Sequence, residues 1–273
     1  LTDQERGGAD GYDHGSSPDF FAYYAKESLS PRTIARFTTV RDKALALLER
    51  HGRRDVPLAV ADIGCGAGTQ SLMWARLGHA VHGLDVNGPL VEEARRRARE
   101  AGVTVRFDVG TATALPYADA SMDVVLMPEL LEHVPEWEPC IDEAVRVLRP
   151  GGVLYLSTTN ALCPVQQEFT LPLYSWYPGP LKRRYERLAV TTRPELANHA
   201  KYPAVHWFTW YGLRRDLAAR GVRCFDRFDM IETEGRGVAA RALVSMVRKL
   251  APLRLLGHVA THGTTLFGLK GYP

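Results

Sequence analysis

Long apolar runs are missing from these 273 residues. None reaches the length a helix needs to cross a bilayer. Cysteine is scarce: Cys65, Cys140, Cys163 and Cys224 form no CxxC pair, and none stands at zinc-finger spacing from a histidine. That excludes a disulfide framework and a structural zinc, and a reducing compartment, the cytoplasm, is expected. A strong charge of either sign is also lacking. The formal net charge of +3 demands neither a nucleic acid nor an anionic surface. The first residues, Leu1-Thr2-Asp3-Gln4, hold no signal-peptide core and no initiator Met, so residues upstream are expected. No internal repeat is visible. What remains is ordinary for a globular chain: 45% apolar and 24% charged residues, enough for a full core.

Along the chain, residues 1–30 read as an N-terminal arm, rich in Gly, Asp and Ser up to about residue 18. Ser30-Pro31 is a helix start, followed by Ile34, Phe37, Val40, Ala44 and Leu47 at helical spacing. Apolar strands are then predicted at 58–63, 80–84, 103–107, 123–127 and 153–157. Helices are predicted between them at 69–77, 89–101 and 138–148, the last stopped by Pro150-Gly151-Gly152. Strands alternating with single helices imply βαβ units and a parallel sheet. Residues 161–208 break the rhythm with prolines and aromatics and read as an insertion or lid. Residues 209–273 then return to the core, with a helix at 210–220 capped by Thr209 and strands at 222–228 and 264–269. The expected core thus begins with residues 31–160.

The sharpest signal is Asp62-Ile63-Gly64-Cys65-Gly66-Ala67-Gly68-Thr69, where a buried strand passes into a helix across three alternate glycines. Glycine there permits a tight turn and lets a ligand lie against the backbone. A nicotinamide-type GxGxxG needs its last glycine where Thr69 stands, which disfavours an oxidoreductase. A carboxylate at Asp62 would repel a pyrophosphate but suits a ligand carrying an ammonium and a sulfonium. At the tip of the next strand, Asp85 is placed to accept hydrogen bonds from both hydroxyls of a ribose.

With the Ala114-Leu115-Pro116-Tyr117 segment and Arg149-Pro150-Gly151-Gly152 added, residues 55–160 resemble the class I S-adenosylmethionine-dependent methyltransferases of the type 11-like group. The resemblance implies a Rossmann-like, doubly wound, mostly parallel seven-stranded sheet with an insertion or cap after the fifth strand. It implies S-adenosylmethionine as cofactor. Asp62 would help hold the methionine part, Gly64, Gly66 and Gly68 would line it, Asp85 would bind the ribose, and Val86 would pack on adenine. Cys65, Ala112 and Met127 complete the implied lining. Where the family usually has an Asp that contacts the adenine amino group, this chain has Thr111, so that contact is weakened.

Beyond the fourth strand lies Glu129-Leu130-Leu131-Glu132-His133-Val134-Pro135. In one helical turn Glu129, Glu132 and His133 would share a face, able to hold a divalent cation or position a base. The segment resembles that of the O-methyltransferases of ubiquinone biosynthesis, and its ExxEH pattern that of the small-RNA 2′-O-methyltransferases. Both resemblances imply Glu129, Glu132 and His133 as ligands of a cation such as Mg, with His133 and Glu132 as catalytic candidates. The alternative is a Glu-His pair that only shapes the site.

The function expected is O-methylation of a small or medium-sized acceptor, such as a phenolic, lipid-like or natural-product molecule. N- or C-methylation, 2′-O-methylation of RNA ends and cofactor binding without catalysis are the competing readings. The low charge and the lack of an RNA-binding module argue against a nucleic-acid partner. Residues 171–187, with aromatics beside Lys182, Arg183, Arg184 and Arg187, suit a peripheral membrane contact, a lid or a solvated cap helix. The aromatic run from His206 to Tyr211 either lines the acceptor pocket or packs the insertion onto the core. In the tail, Arg241, Arg248, Lys249 and Arg254 among Leu and Val suggest amphipathic surface helices. His14, His51 and His79 are expected at the surface.

Overall fold

The computed structural model describes residues 25–53, 57–197 and 204–271. Most of the expected arm, residues 1–24, and with it His14, lies outside the described residues. Helix α1 (Pro31–Arg50) starts where Ser30 accepts a hydrogen bond from the Thr33 N–H at 3.2 Å. Its apolar stripe buries Val40, Ala44, Leu47 and Leu48, while Ile34 stays exposed. There follow β1 (Ala59–Ile63), α2 (Thr69–Ala75), β2 (Ala80–Asp85), α3 (Gly88–Glu100), β3 (Arg106–Val109), β4 (Met122–Pro128), α4 (Trp137–Val147) and β5 (Leu148–Thr159). The chain continues through α5 (Gly179–Thr191), α6 (Trp210–Ala218), β6 (Val222–Asp226), α7 (Val238–Lys249), α8 (Ala251–Val259) and β7 (Gly263–Lys270).

The seven strands pair in the order β3-β2-β1-β4-β5-β7-β6. Only β7 runs antiparallel to its neighbours. Alternation along the strands feeds two cores, as strand periodicity requires. Val60, Val124 and Val153 face α1 and Trp74, whereas Ala61, Val125 and Leu154 face α4 and α6. The sheet is the doubly wound one expected, and its order reverses between β1 and β4. In such sheets the crevice at the carboxyl ends of those two strands is the ligand position.

Some expectations are corrected. β5 does not start after Pro150-Gly151-Gly152 but passes through them. Met122 pairs with Leu148 and Val124 with Val153, so residues 149–152 bulge. Gly152 suits that bulge, since a Cβ there would lie 2.9 Å from the Arg149 carbonyl oxygen. β3 pairs from Arg106 onward because the Val103 N–H still bonds to Ala98 O at the end of α3. His79 is buried, not at the surface, and its Nδ1 accepts the Leu58 N–H at 3.2 Å.

Between β5 and α6 a small aromatic cluster forms. Phe169 stacks on Tyr174 with 4.0 Å between centroids, and Tyr174 also meets Tyr177 and Trp207. The aromatic run takes its packing role. Phe208 sits edge-on to Trp137 at 5.2 Å, and Trp210 and Leu213 of α6 are in the main core. No helix among the described residues is long and apolar enough to cross a membrane.

Candidate active site

Gly64, Gly66 and Gly68 all take positive φ, at 74°, 51° and 78°. This left-handed backbone turns the chain from β1 into α2 within five residues. The loop lies directly against the tip of β2. The Gly64 and Cys65 N–H groups donate to Leu84 O at 2.8 and 3.1 Å. The Gly66 N–H donates to Asp85 Oδ2 at 2.8 Å, and the other Asp85 oxygen accepts the Asn87 N–H at 2.9 Å. A Cβ on Gly68 would meet Ala94 and Phe107 at 2.8 and 2.9 Å, so that glycine serves packing. A Cβ on Gly66 would meet nothing within 4 Å. Gly66 is the open face of the loop. Burial raises the Asp85 carboxyl, while the N–H groups of Asn87, Gly66 and Val86 pull it down.

Two apolar side chains stand exposed beside Asp85: Val86 (57%) and Val109 (55%), the latter paired in register with Asp85. Adjacent exposed valines at strand tips suit the faces of a flat aromatic base. Val109 escaped the sequence reading because β3 was placed about two residues early. Thr111 is exposed, and its hydroxyl bonds only to Thr113, at 2.8 Å. Three expected lining residues turn inward instead. Cys65 packs with Phe107 and Val91, and Ala112 and Met127 belong to the main core. Any contact they offer at the surface comes from backbone.

Asp62 stands one layer behind the loop. It is fully buried, and its oxygens accept from Gln70 Nε2 at 3.1 Å and Ser71 Oγ at 2.6 Å. The carboxylate thus ties β1 to the first turn of α2 and sets the loop from behind. Burial pushes it up to about 6, against those two hydrogen bonds.

Across the crevice, Leu130 approaches the loop; a Cβ on Gly64 would lie 3.3 Å from Leu130 Cδ1. The expected single helical turn is not formed. Glu129 takes φ of +51° and bends the chain out of β4, and only Leu131–His133 make a 3₁₀ turn. The candidate ligands therefore share no helical face. Glu129 is half-exposed and pairs with Arg36 of α1 at 2.7 Å. Glu132 is buried and accepts the Thr158 hydroxyl at 2.7 Å, and its carbonyl accepts the Val205 N–H at 2.9 Å. His133 is half-buried. No group of three His, Cys, Asp or Glu side chains among the described residues is placed to hold a metal ion. Burial, with Glu129 nearby, lifts the Glu132 carboxyl well above its usual range, and burial pushes Glu168 up to about 6. Arg36, Thr158 and Glu168 were not foreseen, because nothing in their local spacing marks them. A cavity of about 560 Å³ lies elsewhere, between the end of α1 and edge strand β6, and shares none of these residues.

Residues 61–156 match a family model described as a methyltransferase domain. A ubiquinone biosynthesis O-methyltransferase of Chelativorans sp. (strain BNC1) is 35% identical over 128 residues, 46% of this chain and 51% of that one. The chain spans about half the length of the curated relatives it matches. A structure of S-adenosylmethionine-dependent methyltransferases from Methanosarcina mazei covers 82% of this chain and 98% of its own, with a TM-score of 0.51 and 23% identity. The [4+2]-cyclase SpnF covers 85% and 82%, with a TM-score of 0.51 and 22% identity. At such identities these structures speak for the fold alone, and the cyclase illustrates that one fold hosts several chemistries. Residues 61–156 are thus similar to a methyltransferase domain, and the sheet has the doubly wound fold of the class I S-adenosylmethionine-dependent methyltransferases.

Proposed function

We propose that the chain is an S-adenosylmethionine-dependent methyltransferase acting on an oxygen of a small or medium-sized acceptor, phenolic or lipid-like. The observation that carries this is the 2.8 Å bond between the Gly66 N–H and Asp85. It brings an open glycine loop and a ribose-binding carboxylate to one crevice. The residues fit the cofactor. Asp85 would accept from the ribose, Val86 and Val109 would cover the base, and Gly66 leaves room along the backbone. When bound, S-adenosylmethionine supplies a methyl group already activated on sulfonium. The protein's work is then to align the acceptor, exclude water and take up its proton. His133, in the same turn as the Leu130 that approaches the loop, is the group assigned to that proton. Glu132 is a positioning residue, since its side chain faces Thr158 and its carbonyl faces Val205. The choice of oxygen rests on the Glu129–Pro135 segment and on the names of the relatives. A divalent cation has no place in the proposal, because Glu129 is paired with Arg36 and Glu132 is bonded to Thr158. The bond from the Val205 N–H to Glu132 O holds the end of the insertion against this turn, which supports a lid role for it.

The test is transfer of a labelled methyl group from S-adenosylmethionine to a panel of phenols, catechols and prenylated phenols. Turnover is expected on at least one of them, with kcat about 10²- to 10⁴-fold lower in His133→Ala and the cofactor still bound. Cofactor binding without turnover on any acceptor would leave a binding protein. Undiminished turnover in His133→Ala would remove the assigned base.

A further inference from the structure

β6 and β7 are antiparallel neighbours that a short turn could join. Instead residues 227–262 intervene and raise the helical hairpin α7–α8. The hairpin is anchored by polar groups. The buried Asp226 accepts from Arg254 Nε at 2.7 Å and pairs with His258 Nε2 at 3.0 Å. Arg248 donates to the carbonyls of Phe228, Asp229 and Ile231. α7 buries no side chain fully, and α8 buries only His258.

An anchored surface helix ordinarily turns a charged face to water. α3 does so, pairing Glu93 with Arg96 and Arg97, and Arg96 with Glu100. α7 does the reverse. Ala239, Leu243, Met246 and Leu250 recur at helical spacing on its outward side, and Leu253 and Leu256 extend the stripe along α8. Leu243 is 57% exposed and Leu256 62%. With Arg248 and Arg254 bonded inward, the exposed cations from Val238 to Val259 are Arg241 and Lys249, and the stretch has no carboxylate; Glu234 is the last acidic residue of the sequence.

We infer that the outward face of α7–α8 is an interfacial anchor, which lays its leucine stripe into the headgroup region of an anionic lipid bilayer. Apolar side chains flanked by lysine and arginine complement such a surface in both respects. A second copy does not: it would set like charges against each other with no carboxylate to pair them.

The position of the hairpin gives the anchor a consequence. It leaves the carboxyl end of β6, at the edge of the sheet that carries the 64–68 loop and the Glu129–His133 turn. Asn160, where the chain leaves β5, donates from Nδ2 to the carbonyls of His258 and Thr261, each at 2.7 Å. Two residues on, Leu162 O accepts the indole N–H of the exposed Trp176 at 3.1 Å. A bilayer met by α7–α8 therefore borders the crevice, and on the proposed function the acceptor would enter from the lipid.

The test is flotation of the full-length protein with vesicles of pure phosphatidylcholine and of phosphatidylcholine mixed with phosphatidylglycerol. Binding is expected to the anionic vesicles, to weaken with salt, and to fall by roughly tenfold or more in L243E/L256E. R241Q/K249Q is expected to lose less, and only at low salt. Circular dichroism melts and calorimetry with S-adenosylhomocysteine separate this surface from misfolding and from the cofactor site, and both are expected unchanged in the variants. No flotation at low salt, or equal flotation of L243E/L256E, would overturn the anchor. So would a dimer that the same pair converts to monomer, which would assign the face to self-association. None of these outcomes touches the methyltransferase reading, which stands or falls on the cofactor.

Discussion

The glycines of the 64–68 loop have separable duties. Gly68 is pinned between Ala94 and Phe107, so Gly68→Ala is expected to cost about 2–3 kcal/mol from overpacking and a left-handed alanine. Gly66 faces open space, so Gly66→Ala is expected to cost about 1 kcal/mol in strain. It nevertheless puts a methyl group where the proposed cofactor would lie. Thermal melts should thus single out Gly68→Ala, and calorimetry with S-adenosylhomocysteine should show Gly66→Ala losing roughly tenfold or more in affinity. Asp62 yields a pH test. Its carboxyl sits at about 6 when folded, above its ordinary 3.8, so the folded state binds the extra proton between those values. Stability should then fall as pH rises through that window, by about 3 kcal/mol in full. Asp62→Asn keeps a carbonyl for Gln70 and an amide for Ser71, and its melting temperature should lose that slope. Parallel profiles for the two proteins would show that folding does not raise the Asp62 carboxyl. The sequence already marked these residues, because a GxGxG after a buried strand has few other uses. It did not show Asp62 turned inward onto Gln70 and Ser71, since partners on the far side of a strand leave no trace in local spacing.

At the scale of elements, legibility followed the strength of the period. The helix from Pro31, the Asn87 cap and strands β1, β2 and β4 lie where alternation, capping residues and turns placed them. The segment from Glu129 to His133 misled, because i, i+3, i+4 spacing matters only if the backbone is helical. Glu129 instead adopts a left-handed bend, its N–H held by Ser157 O at 2.8 Å and its carboxylate by Arg36. Those contacts come from β5 and α1, far away in sequence. The consequence is testable. Activity should survive chelation with EDTA within about twofold, where a bound catalytic cation would be worth several kcal/mol. Burial, with Glu129 nearby, raises the Glu132 carboxyl, which takes the Thr158 hydroxyl as its partner. Glu132→Gln is expected to keep the melting temperature, whereas Glu132→Ala leaves Thr158 without its partner and should cost about 2–3 kcal/mol. Activity abolished by EDTA and restored by magnesium would contradict this picture of the turn.

For the whole molecule, composition and alternation announced a parallel α/β sheet, and the order β3-β2-β1-β4-β5-β7-β6 follows from right-handed crossovers on both faces. The long link from β6 to β7 was legible only as amphipathic tail sequence, because the antiparallel pairing of β7 with β5 and β6 is a long-range fact. The account converges on the crevice at the carboxyl ends of β1 and β4, where an open glycine faces the acid at the tip of β2. Calorimetric titration with S-adenosylhomocysteine, in the wild type and in Asp85→Asn, tests it most directly. One site of roughly micromolar affinity is expected in the wild type, weakened about tenfold or more in the variant, with no heat from NAD. A protein that ignores S-adenosylhomocysteine, or binds NAD more tightly, would contradict the account.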